Sequence, residues 1–162
     1  HLFDRENITI FDPIDEYHSV SDRVEHYIGS GMSYRSTLDS LKEQVLIARK
    51  QRRMLEHFVV ITDVGQFVAE SNIEPNELAL LMEEGQRVGL HLIFATHKSY
   101  LSGYTDIPKY MKTQLDTAII AMKMGEQSIF NRSATGREEA LLDDQVYLHY
   151  QNVQTKLKIT KQ

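Results

Sequence analysis

The sequence predicts an α/β fold: a mostly parallel sheet with an antiparallel hairpin near its C-terminal end. Residues 58–62 form a continuous apolar, β-branched run, which is typical of a strand covered on both faces. Strand-like runs alternate with segments of helical periodicity, and this alternation favours parallel strands joined by right-handed crossovers. Two final strand-like runs, 145–150 and 153–159, flank Gln151-Asn152 and predict the hairpin.

The other elements follow from periodicity and from stop signals. A strand at 7–13 is ended by Pro13. A helix at 34–56 carries an apolar stripe that recurs every three or four residues, and Gly89 ends a helix at 76–88. The remaining predictions are a short helix at 20–28 capped by Ser19 or Ser21, a loop from the strand at 58–62 to Pro75, a strand at 91–96, a helix at 108–114 with Asp106 as its cap, and a strand at 117–122.

Composition bounds the class of protein. The chain has 162 residues, of which 41% are hydrophobic, and no cysteine, so we expect one domain that folds without disulfides. A net charge of −5 does not indicate the basic surface that nucleic-acid binding proteins usually have. The longest apolar runs fall far short of the roughly 18 residues that a membrane-spanning helix needs. The first residues resemble neither a natural start nor a signal peptide, so we interpret the chain as a piece of a longer protein.

A basic cluster ends the long predicted helix. Arg49, Lys50, Arg52 and Arg53 lie in or just beyond its last turns, where positive charge suits the negative end of the helix dipole. We interpret the cluster as a solvated helix end rather than a nucleic-acid patch.

Polar residues follow three of the predicted strands. Asp12, Asp63 and the Thr96-His97 pair each come at the end of an apolar run. Because ligands of open α/β sheets bind beyond the carboxyl ends of the strands, we expect these four residues to group there as candidate cofactor contacts, with Asp63 as a candidate metal ligand. Alternatively, an acid after a strand starts a turn or caps a helix, and that interpretation of Asp63 stays open.

Four segments, in this order, resemble the FtsK/SpoIIIE family of P-loop ATPases. Residues 8–13 resemble a family strand that ends in Asp-Pro, and residues 58–63 resemble its Walker B strand. Residues 83–96, EEGQRVGLHLIFAT, are similar to the family's A-R-A-x-G-I-H-L-I-L-A-T-Q, and residues 136–142 resemble its G-A-E-x-L-L. The resemblance implies a RecA-like P-loop NTPase core, most similar to the third, C-terminal ATPase module of the type VII secretion proteins EssC and EccC.

The chain departs from the family at its nucleotide residues. No Gly-Lys pair of a P-loop occurs in the sequence. Val64 stands where a hydrolytic member carries the Walker B Glu, and Gln127 stands where an arginine would reach a neighbouring module's nucleotide. Because valine cannot act as a base, we expect hydrolysis to lose the roughly 10²–10⁴-fold that a positioned base supplies. We therefore assign no catalytic residue and expect, at most, weak binding of ATP and Mg²⁺, with no cofactor required.

The resemblance also implies partners and a location. We expect a cytoplasmic domain of a protein anchored in the bacterial cell membrane, in contact with neighbouring ATPase modules, other subunits of the secretion machine and WXG100-type substrates. Tyr100, Leu101 and Tyr104 are candidate substrate-binding residues, with ordinary loop packing as the alternative. The alternative function is an active module of an FtsK-like DNA translocase whose P-loop lies upstream.

Overall fold

The computed structural model describes residues 7–115, 117–121, 141–150 and 153–159. The chain divides into two compact units, His1–Tyr100 and Leu101–Gln162. Among the described residues, no helix combines the length and the apolar character that crossing a membrane requires.

The first unit is built on a four-stranded, wholly parallel sheet. Its strands are β1 (Ile8–Asp12), β2 (His26–Gly29), β3 (His57–Ile61) and β4 (Leu90–Phe94), in the spatial order β2-β1-β3-β4. Phe11 lies opposite Ile61, and Ile61 lies opposite Phe94. The carboxyl ends of the three neighbouring strands β1, β3 and β4 therefore lie together at one edge of the sheet.

Three α-helices belong to the same unit: α1 (Tyr34–Gln51), α2 (Val64–Ser71) and α3 (Pro75–Arg87). The predicted apolar stripe of α1 is confirmed, because its buried residues recur at three- and four-residue steps from Tyr34 to Ala48. Glu74 and Glu77 form a capping box at the start of α3, and Pro75 occupies its first turn, where its missing N–H costs nothing.

An aromatic cluster joins the sheet to two helices. The buried ring of Phe11 on β1 lies 5.8 Å from the ring of Tyr34 on α1 and 5.0 Å from the ring of Phe67 on α2. Tyr34 and Phe67 pack against each other at 5.8 Å in an edge-on arrangement. Tilted aromatic pairs of this kind add to the free energy gained by burial, so the cluster fixes both helices against β1.

Salt bridges orient α1 and α3. Arg35, near the start of α1, and Lys42, in its middle, pair with Glu77 near the start of α3. Near the end of both helices, Arg49 pairs with Glu84 at 3.2 Å. The two helices therefore run side by side in the same direction and end together.

Two predictions for the first unit are wrong. The helix predicted at 20–28 is a 3₁₀ helix, His18–Arg23, followed by β2, because residues 26–29 pair in parallel with β1. The loop predicted between the third strand and Pro75 contains α2, which Asp63 caps. In addition, α1 ends at Gln51 rather than at 56, because Arg52 adopts the left-handed conformation that closes a helix.

The second unit contains α5 (Asp106–Gln114), β5 (Thr117–Ile120), β6 (Gln145–Tyr150) and β7 (Val153–Lys158); the short α4 (Lys98–Leu101) lies where the two units divide. The hairpin of β6 and β7 is confirmed as antiparallel, with Tyr150 opposite Val153. Contrary to its predicted place in the parallel sheet, β5 pairs antiparallel with β6. Thr105, rather than Asp106, precedes the first residue of α5.

Replacing Phe11 by alanine tests the aromatic cluster. We expect Phe11→Ala to lower the free energy of unfolding by roughly 3–5 kcal/mol, because it leaves a cavity between β1, α1 and α2. Urea unfolding followed by circular dichroism measures the change, and Leu46→Ala, at an exposed position of α1, serves as the control. Equal unfolding midpoints for the two variants would show that the cluster does not stabilise the unit.

Candidate functional site

Of the four residues predicted to group at one edge of the sheet, Asp12, Asp63 and Thr96 end or follow neighbouring parallel strands, and His97 comes directly after Thr96. Asp12 ends β1, Asp63 follows β3 by two residues and Thr96 follows β4 by two residues. These strands are neighbours and parallel, so the three residues lie at a common carboxyl edge. Binding of a ligand at this edge remains a prediction.

The carboxylate of Asp12 is fully engaged by the protein. Its Oδ2 accepts hydrogen bonds from the Tyr27 hydroxyl at 2.6 Å and from the Tyr17 backbone N–H at 2.7 Å. Its Oδ1 accepts a hydrogen bond from the Thr62 hydroxyl at 2.7 Å. The residue is 0% exposed. Asp12 therefore ties β1 to β2, to the end of β3 and to the following loop, with little capacity left for a cofactor.

These hydrogen bonds decide the charge state of Asp12. Burial alone raises the pKa of its carboxyl, because the charged form loses hydration, but hydrogen bonds from Tyr27, Tyr17 and Thr62 outweigh burial and bring the pKa below its usual value. Burial, together with the hydrogen bond to Asp12, raises the pKa of Tyr27, so its hydroxyl stays protonated. The site thus contains a buried carboxylate stabilised by hydrogen-bond donors rather than by a cation.

Asp63 is the N-cap of α2. Its Oδ1 accepts a hydrogen bond from the Gln66 backbone N–H at 3.0 Å, as the capping alternative for this residue requires. Val64 is the first residue of the helix, and its N–H donates to the Ala95 carbonyl at the end of β4. The Val64 side chain is 1% exposed. The position after Asp63 therefore belongs to the apolar core.

The end of β4 contributes two further candidates. The hydroxyl oxygen of Thr96 is buried and has no hydrogen-bond partner in the described part of the chain. His97 is exposed, and its backbone carbonyl accepts a hydrogen bond from the Tyr100 N–H. A buried hydroxyl without a partner is costly, so Thr96 is the residue of this edge with the clearest unused capacity to bind.

The side chain of Tyr100 packs close to the start of α2. A Cβ added at Gly65 would lie 3.1 Å from the Tyr100 ring, so a larger residue at that position would fit only if the ring shifted. Burial and then the negative charge of Asp63 raise the pKa of Tyr100. Tyr100 therefore closes one side of the Asp63 turn, which its position in the sequence alone did not indicate.

The two other predicted substrate-binding residues, Leu101 and Tyr104, differ in the exposure of their side chains. The Leu101 side chain is buried, so it offers little surface to a partner. The Tyr104 side chain is 98% exposed. Gln127 and its neighbours lie outside the described residues, so the predicted loss of the arginine contact stays a prediction.

Sequence reasoning missed three residues of this edge: Tyr17, Tyr27 and Thr62. Tyr27 was hidden because its strand was interpreted as a helix. Thr62 carried a usable signal, since it is a hydroxyl residue between a buried strand and Asp63. Tyr17 takes part through its backbone N–H, for which the side chain gives no clue.

The residues of this edge do not fit MgATP. A phosphate site of the predicted class needs a Gly-rich loop with lysine, and the sequence holds no Gly-Lys pair. Within the described ranges, no group of three or more acidic, histidine or cysteine residues could hold a metal ion. Asp12 is buried and accepts three hydrogen bonds from the chain, and Asp63 caps a helix, so the residues present do not form a Mg²⁺ site by themselves.

A parallel sheet with polar groups at its carboxyl edge is the core of RecA-like ATPase domains, and solved structures of this class match the chain. Among them are the cytoplasmic domain of EssC, with 19% sequence identity and a TM-score of 0.72, and EssC (ATPases 2 and 3) from Geobacillus thermodenitrificans, with 18% sequence identity and a TM-score of 0.74. EccC (ATPases 2 and 3) of Thermomonospora curvata, in complex with a signal sequence peptide, matches with 18% and 0.59.

These matches establish the fold. Each covers 98% of this chain, whereas the chain spans 34%, 32% and 31% of the three larger chains. No protein-family model matches the sequence. No curated protein matches it either. The chain therefore has the fold of the EssC and EccC ATPase modules and corresponds to about a third of the length of those chains.

Replacing Asp12 by asparagine tests the buried carboxylate. We expect Asp12→Asn to lower the free energy of unfolding near pH 7 by about 2–3 kcal/mol, because hydrogen bonds to a charged acceptor are lost. A carboxyl with a lowered native pKa stabilises the fold above its unfolded pKa of about 4, and this stabilisation disappears as the pH falls through the native value. The difference between wild type and variant should therefore shrink as the solution is acidified.

Urea unfolding at several pH values measures this effect. Asp22→Asn, at an exposed position of the 3₁₀ helix, is the control and should change stability little. A difference between wild type and Asp12→Asn that stays constant from neutral pH to below pH 4 would contradict the assigned role of the charge.

Proposed function

We propose that the chain is an ATPase-like module of a type VII secretion motor that binds secretion substrates and regulates neighbouring modules rather than hydrolysing ATP. The observation that carries the proposal is Val64. It directly follows Asp63, where the resemblance places the catalytic Glu, and it is 1% exposed. Val64 therefore packs in the apolar core, at the position where a hydrolytic member of the family needs a base.

The edge of the sheet supports the same proposal. Hydrolysis of a nucleoside triphosphate depends on groups placed around the phosphates and on a residue that orients water. At this edge, Asp12 binds three groups of its own chain, and Asp63 caps α2. The acids that would serve a nucleotide thus stabilise the fold.

Substrate binding is supported by the retained fold and by an exposed aromatic residue. A fold that no longer serves catalysis can still provide a binding surface, because function resides in sites carried by folds. EccC of Thermomonospora curvata was solved with a signal sequence peptide. In this chain, Tyr104 is 98% exposed, so it is the predicted contact residue with most surface to offer a helical tail.

The wider setting is part of the proposal. The similar EssC and EccC structures contain ATPases 2 and 3 in one chain. We infer that this module likewise adjoins other ATPase modules in a longer protein anchored in the bacterial cell membrane, and that occupancy of the module by a WXG100-type substrate is transmitted to an active neighbour.

The purified chain should not hydrolyse ATP. We expect phosphate release in the presence of Mg²⁺ to equal that of buffer. Val64→Glu should not restore turnover; it should lower stability, because it places a carboxylate in the core. A colorimetric phosphate assay, with thermal unfolding of both proteins, measures the two effects. Turnover near the common enzyme value of about 10 s⁻¹, abolished by Asp63→Asn, would support an active ATPase instead.

A labelled C-terminal tail of a WXG100-type substrate should bind the chain with micromolar affinity, corresponding to about −8 kcal/mol. Tyr104→Ala should weaken binding, because it removes a fully exposed aromatic contact. Ile14→Ala, at another exposed apolar position, should leave binding unchanged. Fluorescence anisotropy measures the affinity. The assignment fails if no saturable binding occurs at high micromolar protein while the tail binds a neighbouring module.

A further inference from the structure

A groove of about 310 Å³ lies where α1 and α3 end together. Four arginines line it: Arg49, Arg52, Arg53 and Arg87. Met54 and Val88 form its apolar part. All of these residues belong to the first unit, and none of them belongs to the carboxyl edge of the sheet.

The groove concentrates positive charge on an acidic chain. Glu84 is the one acidic residue that lines it, and this carboxylate pairs with Arg49 at 3.2 Å and with Arg87 at 3.0 Å. In the described part of the chain, the side chains of Arg52 and Arg53 make no ion pair. Four guanidinium groups against one carboxylate leave the groove with three excess positive charges, while the whole chain carries −5.

The positive charge of the arginine side chains is not needed to cap the end of α1. The last carbonyls of α1 are capped by the backbone: the N–H of Arg52 donates to the carbonyl of Arg49 at 3.2 Å, and the N–H of Arg53 donates to the carbonyl of Ala48 at 2.9 Å. The guanidinium groups are therefore not required as caps. The dipoles of α1 and α3 favour cations at this end, which suits Arg49 and Arg87 in the last turns of the two helices. Arg52 and Arg53 lie beyond the last residue of α1, and their guanidinium groups add positive charge to the groove.

An exposed apolar side chain accompanies the arginines. Met54 is 59% exposed, whereas Val88, the other apolar residue of the lining, is buried. The Met54 methyl group lies close to Gly89, at 3.1 Å from the position that a Cβ would take there, and the φ of +78° at Gly89 itself favours glycine. Methionine adapts its shape to varied apolar partners and is common at binding surfaces.

This combination selects a class of ligand. The planar fork of arginine matches a carboxylate through two hydrogen bonds. An inorganic anion would make no use of Met54, and the lining contains no aromatic ring on which a nucleic-acid base could stack. We propose that this groove is a docking site for an acidic peptide segment of a partner protein, in which carboxylates flank one apolar side chain. The assignment is independent of the proposed role in secretion.

Fluorescence anisotropy with the 162-residue chain tests the assignment. The probe is a labelled peptide with the core Glu-Asp-Leu-Glu-Asp, and the matched peptide has Gln-Asn-Leu-Gln-Asn. We expect saturable binding of the acidic peptide alone at about 0.05 M salt and clear weakening at about 0.5 M, where charges are screened. Met54→Ala should weaken binding of the Leu peptide but not that of a peptide with Ala in its place.

Two double variants that remove the same charge distinguish the effect of the groove from the effect of the chain's net charge. Arg52→Gln with Arg53→Gln should weaken the acidic peptide by about tenfold or more. Arg23→Gln with Lys109→Gln removes the same charge at exposed positions outside the groove and should have little effect. Absence of saturation at low salt, or equal weakening by both pairs, would overturn the proposal. So would tighter binding of a single-stranded oligonucleotide that depends on Arg52 and Arg53.

Discussion

The buried carboxylate of Asp12 is the interaction on which the carboxyl edge of the sheet depends. A charge removed from water must be satisfied by donors, and this one accepts hydrogen bonds from Tyr27 on β2, from Thr62 after β3 and from the backbone of Tyr17. The same contacts order three segments that the chain supplies from distant parts of its sequence. They also leave the acid unavailable to a ligand, so one constraint explains both the architecture of the edge and its limited chemistry.

The start of α2 is likewise held by contacts within the chain. Asp63 caps the helix, and Val64 turns into the core behind it, while the N–H of Val64 binds the end of β4. These contacts connect β3, α2 and β4 without a nucleotide. The chain has the fold of the EssC and EccC ATPase modules, and the proposed function assigns binding to its surfaces, because function resides in sites carried by folds.

Much of the fold was predictable from local pattern. Continuous apolar runs indicated β1 and β3, and the spacing of apolar residues indicated the buried face of α1. The order of strands then placed Asp12, Asp63 and Thr96 at one edge. These signals are strong because burial on both faces of a strand, or along one stripe of a helix, imposes a distinct sequence period.

The remaining features depend on contacts between distant residues. The short β2, His26–Gly29, has only one aliphatic side chain and exists because β1 pairs with it. The eight residues of α2 include a glycine and were too few to give a clear period. The partners of Asp12 lie up to 50 residues away, and nothing near Asp12 in the sequence identifies Thr62. Likewise, pairing of β5 with β6 was hidden, because an apolar strand does not specify its neighbour.

Titration of the purified chain with MgATP in a calorimeter tests most directly whether the residues at this edge stabilise the fold and do not bind a nucleotide. Because Asp12 accepts three hydrogen bonds from the chain, Asp63 caps α2 and the sequence holds no Gly-Lys pair, the account predicts no saturation at nucleotide concentrations up to about 1 mM, which corresponds to binding weaker than about −4 kcal/mol. Saturable binding at micromolar MgATP that is lost in Asp63→Asn would contradict it.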